Sequence, residues 1–445
     1  MGVDGVGRPA AVTNPRQATE TRIAPNAAHL CPHARGSRSR PGPRGVVSEL
    51  LNGMSTPMAR VSTATPATIP FARPSIGPDE IGEVLETLES GWLTTGPRVA
   101  RFEQAFADYT GATHAIAVNS CTAALHLSLL AAHVGAGDEV ITTPLTFCAT
   151  ANVVIHAGAT PVFADIDPRT WNLDPLKAAA RVTPRTRALL PVHYAGRPAP
   201  LRAFRALASH DGLTLIEDAA HCVEGVSDGR KIGAVGDFTC FSFYATKNLT
   251  TGEGGMVTTA DPDAAAFMRT ASLHGMSRDA WTRYAPGGTA HYDVVTPGFK
   301  YNMMDLQAAI GLHQLARIDE MHARRSAIWA KYDAELASLP LDRPAPVGEG
   351  DVHARHIYTV LVDERAAGLS RDQLQARLRD AGVSTSIHFR ALHLHPYYQE
   401  RFRLKRGMFP AAEAVSDTTL SLPLSASLSV SDADRVIEAL YDVLR

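Results

Sequence analysis

From His114 to Glu217 the chain alternates short apolar runs with longer stretches of helical periodicity, and no other feature restricts its fold as much. Residues 114–118, 139–142, 161–164, 188–192 and 213–217 have strand length and composition, and helical stretches such as 201–209 separate them. Strands alternating with helices predict an α/β fold, a mostly parallel sheet with helices on both faces and ligands at the strands' carboxyl ends. A long helical pattern from Asp305 to about Leu336 is expected to link this large domain, 68–325, to a small C-terminal domain, 326–445. In the small domain, 356–362 and 383–389 read as strands, Ser370-Arg-Asp-Gln373 as a capping box, and an amphipathic helix starts near Ser431. This domain would close over the substrate and bring in residues around His388.

Two residues near strand ends carry chemistry. Lys247 lies in Cys240-Phe-Ser-Phe-Tyr-Ala-Thr-Lys247-Asn-Leu, downstream of Asp218 in Ile216-Glu-Asp-Ala-Ala-His221. A lysine amine condenses with an aldehyde to a Schiff base, and an aspartate can keep a pyridine nitrogen protonated, so the pair fits pyridoxal 5'-phosphate. The run from Ala115 through Asn119-Ser-Cys-Thr122-Ala123 into an apolar helix offers a helix N-terminus. Amides near Thr122 and Ala123 could hold the phosphate there, with the Ser242 hydroxyl beside them. Phe147, just after the break at Pro144, can stack on the flat ring, and His221 can donate to its phenolic oxygen. Taken singly, Lys247 is a solvated charge, Asp218, Asn119 and Ser120 are caps, Phe147 is a core aromatic and His221 is structural. Only together do they describe a cofactor site.

These residues stand in a series of ordered motifs. They include Trp92-Leu-Thr-Thr-Gly-Pro97, Asn119-Ser-Cys-Thr-Ala, Asp165-Ile-Asp-Pro, Pro191-Val-His193-Tyr-Ala-Gly196, Ser242-Phe-Tyr-Ala-Thr-Lys247-Asn, Gly252-Glu-Gly-Gly255, Pro297-Gly-Phe-Lys-Tyr-Asn302 and Thr385-Ser-Ile-His388-Phe-Arg390. The series resembles the DegT/DnrJ/EryC1/StrS family of sugar aminotransferases, pyridoxal-phosphate-dependent transferases of fold type I. Trp92-Leu-Thr-Thr-Gly-Pro97, Asp-Ala-Ala-His221 and His388-Phe-Arg390 are most similar to the UDP-4-amino-4-deoxy-L-arabinose aminotransferases. Past Arg390, Ala-Leu-His393-Leu-His395-Pro-Tyr-Tyr398 resembles a wider set, which leaves the sugar open.

The resemblance implies that Lys247 forms the Schiff base, Asp218 pairs with the pyridine nitrogen, Phe147 stacks and His221 meets the phenolic oxygen. Thr122, Ala123 and Ser242 would hold the phosphate, joined by Asn302 of a second subunit in a homodimer with shared sites. His388 and Arg390 would contact a nucleotide-linked keto-sugar, with L-glutamate as the amino donor. Some relatives are dehydratases with His at the lysine position, and a regulatory role has been proposed for others. Lys247 argues against the first, and the want of a DNA-binding helix pair or basic patch against the second.

Composition removes other classes. With 445 residues, 45% hydrophobic content and a net charge of −2, the chain can bury a large core and gives no reason to invoke nucleic acid or an anionic membrane. No apolar run is long enough to span a bilayer. Five cysteines, odd in number and without metal-ligand spacing, suit a reduced, cytoplasmic protein. His388, His393 and His395 are dense enough to suggest a metal but lack acidic or thiol partners, so no metal is expected. Residues 1–67, rich in Pro, Gly, Ala and Arg, are expected to be a disordered extension, with translation starting at Met54 or Met58. The Gly5-Val-Gly7 run there is no dinucleotide fingerprint, since no strand precedes it and Pro9 interrupts it.

Overall fold

A computed structural model describes residues 68–276 and 292–445. The expected extension 1–67, with Met54, Met58 and Gly5-Val-Gly7, lies outside the described residues. Two proline-started helices, α1 (Pro78–Ser90) and α2 (Pro97–Thr110), come first, each closed by a glycine with positive φ, Gly91 and Gly111. Seven strands then form one sheet: β1 (His114–Val118), β2 (Glu139–Thr142), β3 (Thr160–Phe163), β4 (Thr186–Leu190), β5 (Thr214–Asp218), β6 (Phe238–Ser242) and β7 (Gly255–Thr259), in spatial order β1-β7-β6-β5-β4-β2-β3. Pairings β2–β3, β2–β4, β4–β5 and β5–β6 are parallel, whereas β7 pairs antiparallel with both β1 and β6. All strands but β7 therefore point the same way.

Strand alternation explains why the sheet is apolar along its whole length. Ile116, Val118, Val140, Leu190, Ile216, Cys240 and Val257 enter one core, with helix α3 (Cys121–Ala131). Their neighbours Ala115, Ala117, Ile141, Leu189, Leu215, Phe241 and Met256 enter the other, with Phe102 and Phe106 of α2. Both faces are covered, so the strands read as continuous runs. On the α2 side Phe106 meets Phe241 edge-on at 4.9 Å and Phe243 at 5.5 Å.

Register brings the functional segments to one edge. Gly255 pairs with both Val118 and Ser242, so the ends of β1 and β6 flank the start of β7. A Cβ on Gly255 would sit 2.5 Å from the Ser120 carbonyl carbon and 2.7 Å from the Cys121 nitrogen. Only glycine lets the turn after β1 close this tightly.

The C-terminal part has its own core and an antiparallel sheet of β8 (Leu341–Asp342), β9 (Tyr358–Val362) and β10 (Thr419–Leu422). Ser370 and Gln373 form the expected capping box, and the last helix is Val430–Leu444. The long helix expected from Asp305 is two helices, Asp305–Ala316 and Ile318–Glu335, parted at Arg317 (φ −108°, ψ 8°). No glycine or proline marks the break. Arg317 leaves the helical register with its guanidinium on Glu80 and on the Ser75 carbonyl, 2.9 Å away. The second of these helices belongs to both cores, giving Ile318 and Met321 to one and Ile328, Trp329 and Tyr332 to the other. Residues 383–389 form no sheet strand; Val383 bridges Ile69 and Ser386 bridges Ser421, so the segment changes partner midway. No helix among the described residues is long and apolar enough to cross a membrane.

Candidate active site

Where β1, β5 and β6 end, a cavity of about 390 Å³ opens. Thr122, Phe147, Asp218, His221, Ser242, Lys247 and His388 all line it, so most residues singled out from the sequence converge there. Asp218 closes β5 and is 5% exposed. Its Oδ2 accepts from the Thr150 hydroxyl at 2.8 Å and its Oδ1 from the Ala220 N–H at 3.2 Å. Thr150 takes in turn a hydrogen bond from Thr146 at 2.8 Å, one turn earlier. Burial pushes the Asp218 carboxyl up, and Thr150, the Ala220 N–H and Lys247 hold it down. A cationic partner in the cavity would complete its ionised form.

Lys247 follows the turn after β6. Burial lowers its ammonium to about 8, against the pull of Cys121 and Asp218. An amine so placed exchanges protons near neutrality, as a nucleophile or general base requires. His221 is buried, and that burial, reinforced by Lys247, His356 and His388, holds its pKa well below the usual histidine value. Its Nδ1 has no hydrogen-bond partner. Phe147, by contrast, is 60% exposed, with a bare face on the cavity rather than a place in the core.

The turn after β1 shows both things the sequence suggested there. Ser120 caps α3, its Oγ accepting from the Ala123 N–H at 3.1 Å, so Ala123 is committed and does not line the cavity. The N–H groups of Cys121 and Thr122, ahead of it in the first turn, are left for another acceptor, beside the Ser242 hydroxyl.

Two more residues lie elsewhere. Asn302 bridges Val118 from outside, donates to Thr95 Oγ1 at 2.7 Å, leaves its own Oδ1 unpartnered, and lines a different cavity with Trp92 and Thr95. Arg390 is exposed and donates to the Leu394 carbonyl at 2.8 Å, outside the cavity. His388 does face it, with Nδ1 2.9 Å from Ser421 Oγ and its pKa lowered by burial and Lys247 to about 4. His393 is buried against Glu413, Nε2 to Oε1 2.9 Å.

The sequence reading missed Thr150, His356 and Phe389. Thr146 and Thr150 lie four residues apart across the start of helix α4 (Ala149–His156), a spacing that marks two hydroxyls on one side of a turn. His356 and Phe389 carry no local signal, because tertiary contacts alone bring them to the cavity.

Residues 74–441 match the model of the DegT/DnrJ/EryC1/StrS aminotransferase family. The spore coat polysaccharide biosynthesis protein SpsC of Bacillus subtilis is 52% identical over 378 residues, which are 85% of this chain and 97% of that protein. Among solved structures, the PLP-form of the putative sugar aminotransferase Spr1654 from Streptococcus pneumoniae superposes with a TM-score of 0.79 at 32% identity, covering 85% of this chain and 100% of that one. DesV of S. venezuelae, solved in complex with a ketimine intermediate, gives 0.75 at 36% identity over 82% and 93% of the two chains.

Proposed function

The chain belongs to the DegT/DnrJ/EryC1/StrS aminotransferase family, and from that premise we propose that it moves an amino group from L-glutamate to a nucleotide-linked keto-sugar. It is a pyridoxal-phosphate-dependent aminotransferase of fold type I. The observation that carries the proposal is the meeting of Lys247, Asp218 and the bare face of Phe147 in one cavity. The residues fit the cofactor. The orphaned Nδ1 leaves the His221 ring uncommitted, the Cys121 and Thr122 amides and the Ser242 hydroxyl suit a phosphate, and Asp218 suits a protonated pyridine. Asn302 would reach the phosphate only from a second copy of the chain, as the two subunits of a homodimer with shared sites would allow.

Bound pyridoxal phosphate supplies an aldehyde that takes up the amino group and a ring that draws electrons from the adjacent carbon. The protein does the rest. Asp218 would keep the ring nitrogen protonated. Lys247 would hold the cofactor through its Nζ, and the same Nζ, lowered by burial to about 8, would accept and return a proton at the donor's α carbon. Over a full cycle an amino acid and a keto-sugar become a keto acid and an amino-sugar. His388 lies on the cavity wall for the sugar nucleotide, whereas Arg390 would have to leave Leu394 to join it. The likeness to a polysaccharide biosynthesis protein favours a sugar destined for a surface polysaccharide.

The test is to supply the holoenzyme with glutamate and a panel of UDP- and dTDP-linked 4-keto-sugars and to weigh the products. One amino-sugar nucleotide, formed with equimolar 2-oxoglutarate, is the expected result. Consumption of glutamate with no keto-sugar accepted would refute the nucleotide-sugar assignment.

A further inference from the structure

His356 is an imidazole on the cavity wall to which the reaction above gives no task. Its protonation can be worked out from its neighbours. Asn248, the residue after Lys247, donates both amide hydrogens, to Glu224 Oε2 and to the Ala354 carbonyl, each at 2.8 Å. Flipping the amide would set its oxygen against those two acceptors, so the orientation is fixed. Asn248 Oδ1 therefore faces His356 Nδ1, 2.9 Å away, and Nδ1 must be the donor. Glu224 is itself held by the buried guanidinium of Arg325, which also donates to the Arg355 carbonyl at 3.1 Å. The ring is buried and kept neutral, so its one proton is on Nδ1 and Nε2 is left with a lone pair.

We propose that His356 is a substrate-binding residue whose Nε2 accepts a hydrogen bond from a hydroxyl of the keto-sugar, with Asn248 as the positioning residue that fixes its tautomer. The inference rests on the function proposed above and adds to it. Chemistry selects the sugar among the ligands. The cofactor offers a phosphate and a phenolic oxygen, and the amino donor offers carboxylates, all of which a lone pair repels; the donor's one N–H group, its amine, is taken up at the cofactor aldehyde beside Lys247. Neutral O–H donors come with the sugar nucleotide alone, and the keto-sugar is the part of it that must lie beside the cofactor ring. His356 also lies against His221, ring centroids 4.5 Å apart, so the acceptor stands beside the expected cofactor ring. The chain Arg325–Glu224–Asn248–His356 thus runs from the helix shared by the two cores to the substrate.

The experiment separates the two half-reactions of the holoenzyme. In His356→Phe, which keeps a flat ring against His221, single-turnover consumption of glutamate should stay within twofold of wild type. The KM for the keto-sugar should rise about tenfold, the worth of one hydrogen bond. A deoxy analogue lacking the hydroxyl that meets Nε2 should show that rise with wild type and no further loss with His356→Phe. Equal loss in both half-reactions, or none in either, would overturn the proposal. If the variant does not fold, ¹⁵N NMR of the wild-type ring decides: a proton on Nδ1 with bare Nε2 supports the assignment, and the opposite tautomer refutes it. Wild-type amination of a keto-sugar is the control that keeps failure of this inference distinct from failure of the proposed function.

Discussion

Glu217 and Asp218 are adjacent on β5, both acidic and both buried, yet the fold treats them in opposite ways. Glu217 points into a closed network. His193 Nδ1 accepts from the Ala199 N–H at 2.9 Å, so its Nε2 is the donor to Glu217 Oε2, also at 2.9 Å. Thr239 Oγ1 at 3.1 Å and the Gly236 N–H complete the carboxylate. Asp218, on the other face of the strand, has Thr150 and Ala220 and then an open side toward Lys247's cavity. Equal burial with unequal completion distinguishes them: the saturated carboxylate holds the fold together, and the unsaturated one waits for a cation. The same contrast separates the saturated Asn248 from Lys247 beside it.

Substitutions can break this comparison. The largest effect is expected at Lys247, where Lys247→Ala should lower transamination by at least about a thousandfold while the protein still takes up pyridoxal phosphate non-covalently, as steady-state rates and equilibrium dialysis would report. Asp218→Asn should lower the rate about a hundredfold or more and leave the thermal midpoint within a few degrees, because the amide keeps the shape without the charge. Glu217→Ala should do the reverse. It strands the His193 and Thr239 donors and the Gly236 N–H, so denaturant unfolding should show a loss of about 3 kcal/mol or more, with near-normal turnover per folded molecule. If Glu217→Ala impaired only turnover and Asp218→Asn only stability, the distinction would be wrong.

Smaller effects sharpen it. The Lys247 ammonium is lowered from 10.5 to about 8 in the fold, so between those values the unfolded chain holds more protons and stability rises with pH. Below about 8 the buried charge is a cost. Cofactor-free Lys247→Met should therefore melt above wild type at pH 7, with the gap closing as pH climbs from 8 toward 10.5; a gap independent of pH would contradict the lowered pKa. The smallest effect is expected at Arg390, since its guanidinium rests on Leu394 outside the cavity. Arg390→Ala should change the keto-sugar KM at most about twofold, against about tenfold for His388→Ala. A larger effect at Arg390 would restore the sequence reading of that residue.

The sheet was legible because strands buried on both faces leave unbroken apolar runs, as at β1 and β2, whose limits match the sequence reading. Lys247, Asp218, Phe147 and His221 were legible because motifs keep them close to strand ends. What was hidden depended on contacts distant in sequence. The break at Arg317 follows no glycine or proline and coincides with an ion pair to Glu80. Residues 383–389 have strand composition, but their backbone partners are Ile69 at one end and Ser421 at the other. Ala123 looked free to bind phosphate because its cap, Ser120, is itself a good phosphate-site residue. His356 lies over a hundred residues from Asn248, and the bond between them is invisible until the chain is folded.

The most direct test of the Lys247 site is borohydride reduction of the protein loaded with pyridoxal phosphate, followed by peptide mass spectrometry. One pyridoxyl group is expected, on the peptide that carries Lys247. A pyridoxyl group on another lysine, or none after saturating cofactor, would contradict the site described here.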